Sequence, residues 1–142
     1  MTIARVWGFA AVILCFAGCG GSSGRTVPVS GVVTLNGKPL ANAHVAFQPQ
    51  ASKGSENAGV GSYGVTDADG RYSLRTMDTD QPGAVIGTHS VEIKLRVEAD
   101  DRDPKSRPAA KTLPAKYNRN TELQFKVEPG GTSAANFDLK AQ

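Results

Sequence analysis

With 142 residues the chain has room for one ordinary domain, and a formal charge of +3, from 16 basic and 13 acidic side chains, is too small for a protein that holds nucleic acid electrostatically. Cys15 and Cys19 are the only cysteines and both stand near the N-terminus, so a disulfide-stapled core is excluded and stability must come from packing alone.

Residues 1–18 carry one positive side chain, Arg5, then an apolar run from Val6 to Phe16, and then small residues. That is the layout of a secretory signal, and the run falls short of the about 20 apolar residues that a spanning helix needs. An uncleaved anchor is the alternative, and either one tethers the chain to a membrane. The stretch Phe16-Ala17-Gly18-Cys19-Gly20 resembles the lipobox of bacterial lipoproteins, with Phe16 where that motif usually has leucine. The resemblance implies cleavage before Cys19 and acylation, palmitate included, on its sulfur and amine, so Cys19 is the expected lipidation site. Gly20 is not the aspartate associated with inner-membrane retention, which favours the outer membrane and a periplasmic or cell-surface position. Arg5 is the only charged residue ahead of Cys19, so losing the leader lowers the formal charge from +3 to +2 and removes Cys15 and the sole tryptophan, Trp7. The expected layout is a signal peptide over 1–18, a lipidated cysteine with a Gly/Ser spacer over 19–26, and a domain over 27–142.

Glycine and serine at residues 20–24 neither pack nor restrict the backbone, which makes a flexible spacer. From Val27 the pattern alternates: Val27, Val29, Gly31, Val33 and Leu35 share one parity against Ser30, Thr34 and Asn36, and a period of two predicts a half-buried strand. Asn36-Gly37 supplies the positive backbone angles of a tight hairpin, and Pro39 stops the ladder from running straight on. A second strand points Ala43, Val45 and Phe47 inward and ends at Pro49. Residues 50–59 are small and polar and read as an exposed loop. Tyr63 to Thr66 and Arg71 to Arg75 flank the turn Asp67-Ala68-Asp69-Gly70, in which aspartate can cap backbone amides and glycine can take the left-handed conformation; its register puts Tyr72 and Leu74 on one face. After a loop over 78–83, His89, Val91, Ile93, Leu95 and Val97 alternate with Ser90, Glu92, Lys94 and Arg96, the most regular pattern in the chain and the expected central strand. Residues 98–114 are charged and proline-bearing and read as a mobile loop. Leu123, Phe125 and Val127, then the turn over 128–132, then Phe137 and Leu139 close the sequence. No segment beyond the leader has a helical period, so the expected fold is all-β: a single antiparallel β-sandwich of about seven strands.

Residues 29–45, Val-Ser-Gly-Val-Val-Thr-Leu-Asn-Gly-Lys-Pro-Leu-Ala-Asn-Ala-His-Val, resemble the opening of carboxypeptidase regulatory-like domains, which share the transthyretin-like (prealbumin-like) Greek-key sandwich. Thr66, Asp67, Asp69, Gly70, Tyr72 and Leu74 match the same family's next motif, and residues 113–117 and 136–139 look like small bacterial lipoproteins built on that module. The resemblance covers residues 27–139. Its motif residues make turns and core, so it implies a fold and leaves the activity open.

Beside Cys19, the candidate sites are few. Asp67 and Asp69, alternate acids next to a glycine, are candidate calcium ligands, but no glutamate follows at the later position such loops need, and amide capping is the competing role. Glu98, Asp100, Asp101 and Asp103 are diluted by Arg102, Lys105 and Arg107. His44 and His89 are the only histidines, and hydrolysis would need one held by a carboxylate beside a nucleophile; the C-terminal Tyr-Arg-Gly-Ser signature of the transthyretin-like hydroxyisourate hydrolases is absent. A lysine–asparagine crosslink would need a lysine on the first strand, where none stands, since Lys38 lies in the turn. The expected function is a non-catalytic, lipid-anchored envelope protein with a structural or interaction role, without catalytic residues, cofactor or nucleic-acid partner. The alternative is a surface module binding glycan, peptide or calcium through the loops 50–59 and 98–114, with an envelope protein or glycan as partner.

Overall fold

A computed structural model describes residues 24–52, 58–95 and 113–141. They form eleven strand segments: β1 (Thr26–Val27), β2 (Ser30–Leu35), β3 (Lys38–Pro39), β4 (Ala43–Pro49), β5 (Ser62–Val65), β6 (Arg71–Ser73), β7 (Arg75–Thr76), β8 (Ala84–Val85), β9 (Gly87–Leu95), β10 (Gln124–Val127) and β11 (Phe137–Leu139). One turn of 3-10 helix, Ala115–Tyr117, is the only helical element among the described residues, and no helix among them is long and apolar enough to cross a membrane. The fold is all-β, with two main sheets arranged as an open sandwich.

The larger sheet has five strands in the order β10-β9-β4-β5-β7, every pairing antiparallel. β9 is interior as its alternation predicts, paired with β4 from His89 to Leu95 and with β10 from Gly87 to Ser90, while β4 takes the middle position. Val91 and Ile93 are fully buried with His89, whereas Leu95 is half-buried and Val97 lies outside the described residues. The second sheet is built on β2, with β11 on one side and β3 and β6 on the other. β11 runs parallel to β2, pairing Phe137 with Val33 and Leu139 with Leu35, which departs from the purely antiparallel arrangement expected. Its cause is that residues 132–139 climb beside β2 in the same direction, tied by Ser30 N–H to Thr132 O (2.9 Å) and Ala135 N–H to Ser30 O (3.0 Å).

Two expected strands are each divided. The stretch 27–35 breaks at Pro28, which has no N–H to give a ladder: β1 pairs with β8 in a separate two-stranded sheet, and β2 resumes at Ser30. The stretch 71–75 crosses between the sheets, β6 pairing with β2 and β7 with β5. Leu74, at the crossing, is buried and donates its N–H to Val29 O at 2.9 Å. Tyr72 and Leu74 both reach the core, as their shared parity predicts.

The hairpin Asn36-Gly37 takes positive φ of 52° and 78° and closes β2 onto β3. Gly31 answers a tighter constraint, because a Cβ there would overlap the Ala135 carbonyl. The core joins the two sheets through aromatic rings. Phe47 on β4 lies 5.8 Å from Phe125 and 6.1 Å from Phe137, and Phe125 and Phe137 meet edge-on at 6.1 Å, a preferred aromatic geometry. Leu113 and Tyr117 add a flap to that core, and Tyr117 Oη accepts the Lys140 N–H at 3.0 Å. The loop expected over 98–114 therefore ends in a buried leucine, because that apolar side chain has a core to enter; residues 98–112 lie outside the described residues.

Candidate functional site

Cys19 and residues 20–23 lie outside the described residues, which begin at Gly24. What the structure shows is how the chain joins the sandwich from Gly24. Gly24 abuts the Val85 side chain so closely that a Cβ would fall 2.5 Å from Val85 Cγ1, and the next residue, Arg25, accepts the Ile86 N–H at 3.1 Å. β1 then pairs with β8, so the chain is fixed to the sandwich from Gly24 onward.

A cleft of about 430 Å³ opens beside that entry, lined by Gly24, Gln50, Ser52, Gly59, Val85 and Thr88 among others. It draws on the described part of the loop 50–59 and on the β8–β9 corner, to which Gln50 N–H is tied through Thr88 O at 2.9 Å. The second expected binding loop, 98–114, is described only at Leu113 and Pro114.

A second groove, of about 500 Å³, lies on the outer face of the β2 sheet and includes Ser30, Val32, Val65, Arg71, Ser73 and Ser133 in its lining. The β2–β6 register brings it together by setting Ser30 opposite Ser73 and Val32 opposite Arg71. Val65, 40% exposed, forms its apolar flank. Alternation assigns Ser30 to the outer face, but nothing in the order of residues indicates that Ser73 and Ser133 share its surroundings.

Asp67 and Asp69 do not converge on a common point with a third donor: among the described residues no three His, Cys, Asp or Glu side chains are grouped to hold a metal ion. Asp67 is committed to its turn. One oxygen, Oδ1, accepts the N–H groups of Asp69 and Arg71, each at 2.9 Å, while Gly70 N–H reaches Asp67 O at 3.0 Å. Gly70 holds φ at 73°, and any Cβ there would overlap Val33 O.

The two histidines face opposite ways. His44 pairs with Lys94 and Val65 on the outer face of the five-stranded sheet and stacks parallel to Tyr63, ring centres 6.0 Å apart. Tyr63 in turn donates to Asp80 Oδ1 at 3.1 Å, and Arg75 Nε binds the same oxygen at 2.7 Å; the Arg75 guanidinium holds the Asp80 carboxyl below its ordinary range. His89 is on the inner face and fully buried, its ring 5.6 Å from Phe47. Its Nε2 is 2.7 Å from Val85 O, and Nδ1 has no hydrogen-bond partner. Burial pushes its pKa down, only partly opposed by the bond to Val85 O. Ser62 Oγ is the other buried polar side-chain atom without a partner among the described residues.

The model of a protein family described as a domain of unknown function, DUF6795, matches residues 29–127. The chain belongs to that family. Comparison with curated proteins and with solved structures found no match. The DUF6795 match runs from the start of β2 through the end of β10, so it takes in both histidines, the Asp67 turn and the β2–β6 face. It leaves outside it residues 1–28, β1 among them, and β11.

Proposed function

We propose that this DUF6795 chain is an exported lipoprotein, anchored through Cys19 to the periplasmic or cell-surface side of an envelope membrane, with a non-catalytic structural or interaction role. Its sandwich would then be a Greek-key module of the transthyretin-like, carboxypeptidase regulatory-like kind. The observation that carries the reading is the order of Phe16-Ala17-Gly18-Cys19 and a Gly/Ser spacer immediately ahead of Gly24, where the chain meets Val85 and enters β1. An extended chain spans at most about 3.3–3.6 Å per residue, so a lipid on Cys19 would hold the β1–β8 corner close to the bilayer. The surroundings of the two histidines support a role without hydrolysis, because His44 stacks on Tyr63 and His89 is bonded to Val85 O, neither of them, among the described residues, to a carboxylate.

Mass spectrometry of the membrane fraction tests the anchor. A mature N-terminus at Cys19 carrying acyl chains is expected, with loss of acylation and of membrane retention in Cys19→Ala; a mature chain that is unlipidated or starts elsewhere overturns it.

The cleft formed by residues 50–52 with the β8–β9 corner favours a second reading, a surface module for glycan, peptide or calcium. Under it, a glycan or peptide array or a calcium titration followed by thermal melting gives a response that substitution of Gln50 and Ser52 removes; silence in all of them ends it.

A further inference from the structure

Besides its backbone bonds, the β8–β9 corner is held by one ionisable side chain. His89 is fully buried, packed among Phe47, Pro49 and Phe125. Val85 O is an acceptor, so Nε2 must carry the proton in the bond between them, and the orphaned Nδ1 is then the bare lone pair of the neutral ring. A second proton would put an N–H on Nδ1 with no acceptor and a positive charge in an apolar site, which a protein interior resists strongly. The ring's neighbours offer no compensation. On β4 and β10 it faces Pro49 and Phe125. The charged groups nearest in sequence register, Glu92 and Lys94 on β9 and Lys126 on β10, have the parity of the opposite face of the sheet.

The backbone group that His89 grips belongs to β8, which pairs with β1 and lines the cleft beside Gly24. We infer that His89 is a proton-sensitive latch: a proton on Nδ1 is tolerated only where the ring reaches water, so acid draws the ring out of its apolar site and the bond to Val85 O goes with it, which loosens the β1–β8 corner and opens the adjoining cleft while the rest of the five-stranded sheet stays paired. The sign follows from which state takes the proton more readily. The opened corner exposes the ring to water and restores its ordinary affinity, so the latch is closed above the ordinary histidine pKa of about 6.5 and is lost as pH falls below it. The latch does not depend on the anchor, and it bears on the binding reading only by changing the shape of that cleft.

Hydrogen exchange on the full-length chain in detergent, between about pH 7.5 and about pH 5.5 and corrected for intrinsic rates, tests it. Below about pH 6.5 the opening constant of the Ile86 amide, which reports the β1–β8 corner through Arg25 O, rises by about tenfold per pH unit, with a much smaller change at Phe47 and Val91. His89→Gln, which keeps an N–H donor and cannot titrate, abolishes the pH dependence. His44→Gln, removing the only other histidine, leaves it intact. A flat Ile86 profile overturns the latch, as does loss of protection at Ile86 and Phe47 in step, or persistence of the effect in His89→Gln.

Discussion

Tyr72 shows how a single hydroxyl can pin two distant stretches of backbone beside one strand. The residue is buried on β6, and its Oη donates to Ala135 O at 2.6 Å. That carbonyl is also the group Gly31 must make room for. Burial pushes the phenol well above its ordinary pKa, so it stays a neutral donor over the whole range in which the domain would be handled. Tyr72→Phe removes the donor and leaves the Ala135 carbonyl buried and unpaired, a loss of about 1–3 kcal/mol, measurable as a lower urea midpoint with an unchanged slope. The inward parity of Tyr72 and of Gly31 is plain in the sequence. Their meeting at residue 135 is not, because nothing local to either marks a partner more than sixty positions away.

At the scale of elements, the turn after β5 is the best specified by its own residues. Asp67 Oδ1 takes two amides at 2.9 Å, and Gly70 supplies the left-handed φ. Asp67→Ala costs about 1 kcal/mol through those lost bonds, while Asp67→Asn, which keeps the acceptor, costs less; thermal melting of the two variants ranks them. Hairpin and turn are legible because their chemistry is local: Asn36-Gly37 and Asp67 to Gly70 need only each other. The strands are legible where one face is buried throughout, as in β4 and β9. They are misread where the chain changes sheets, at Pro28 and at Leu74, since alternation continues through both places while the ladder partner changes. β8 was invisible for a related reason: Ala84 and Val85 are two residues whose only pairing is with the equally short β1. Of the candidate site residues, Asp67 could be read as a cap from the turn alone, whereas the cleft and groove depend on strand registers that no local pattern announces.

For the molecule as a whole, Phe47 is the side chain on which the two sheets converge. It is fully buried on β4 and touches Phe125 and His89 of its own sheet and Phe137 of the other. Phe47→Ala removes the ring at that junction and costs about 3–5 kcal/mol, a large part of the margin of about 5–15 kcal/mol that domains possess; calorimetry reads it as a steep fall in Tm, or as a chain that no longer melts cooperatively. Exposed ion pairs such as Arg75–Asp80, whose side chains are 49% and 59% exposed, contribute much less.

The parallel seat of β11 beside β2 also sets the order of events during synthesis. Thr34 and its partner Asp138 stand 104 positions apart, and ribosomes add about 5–20 residues per second, so β2 waits roughly 5–20 s for its neighbour to be made. Until then Val33 and Leu35 have an empty flank, and the second sheet cannot close, however early β4, β5 and β9 come together. The two sheets of this sandwich therefore mature at different times, the second one last, when residues 137–139 have been made.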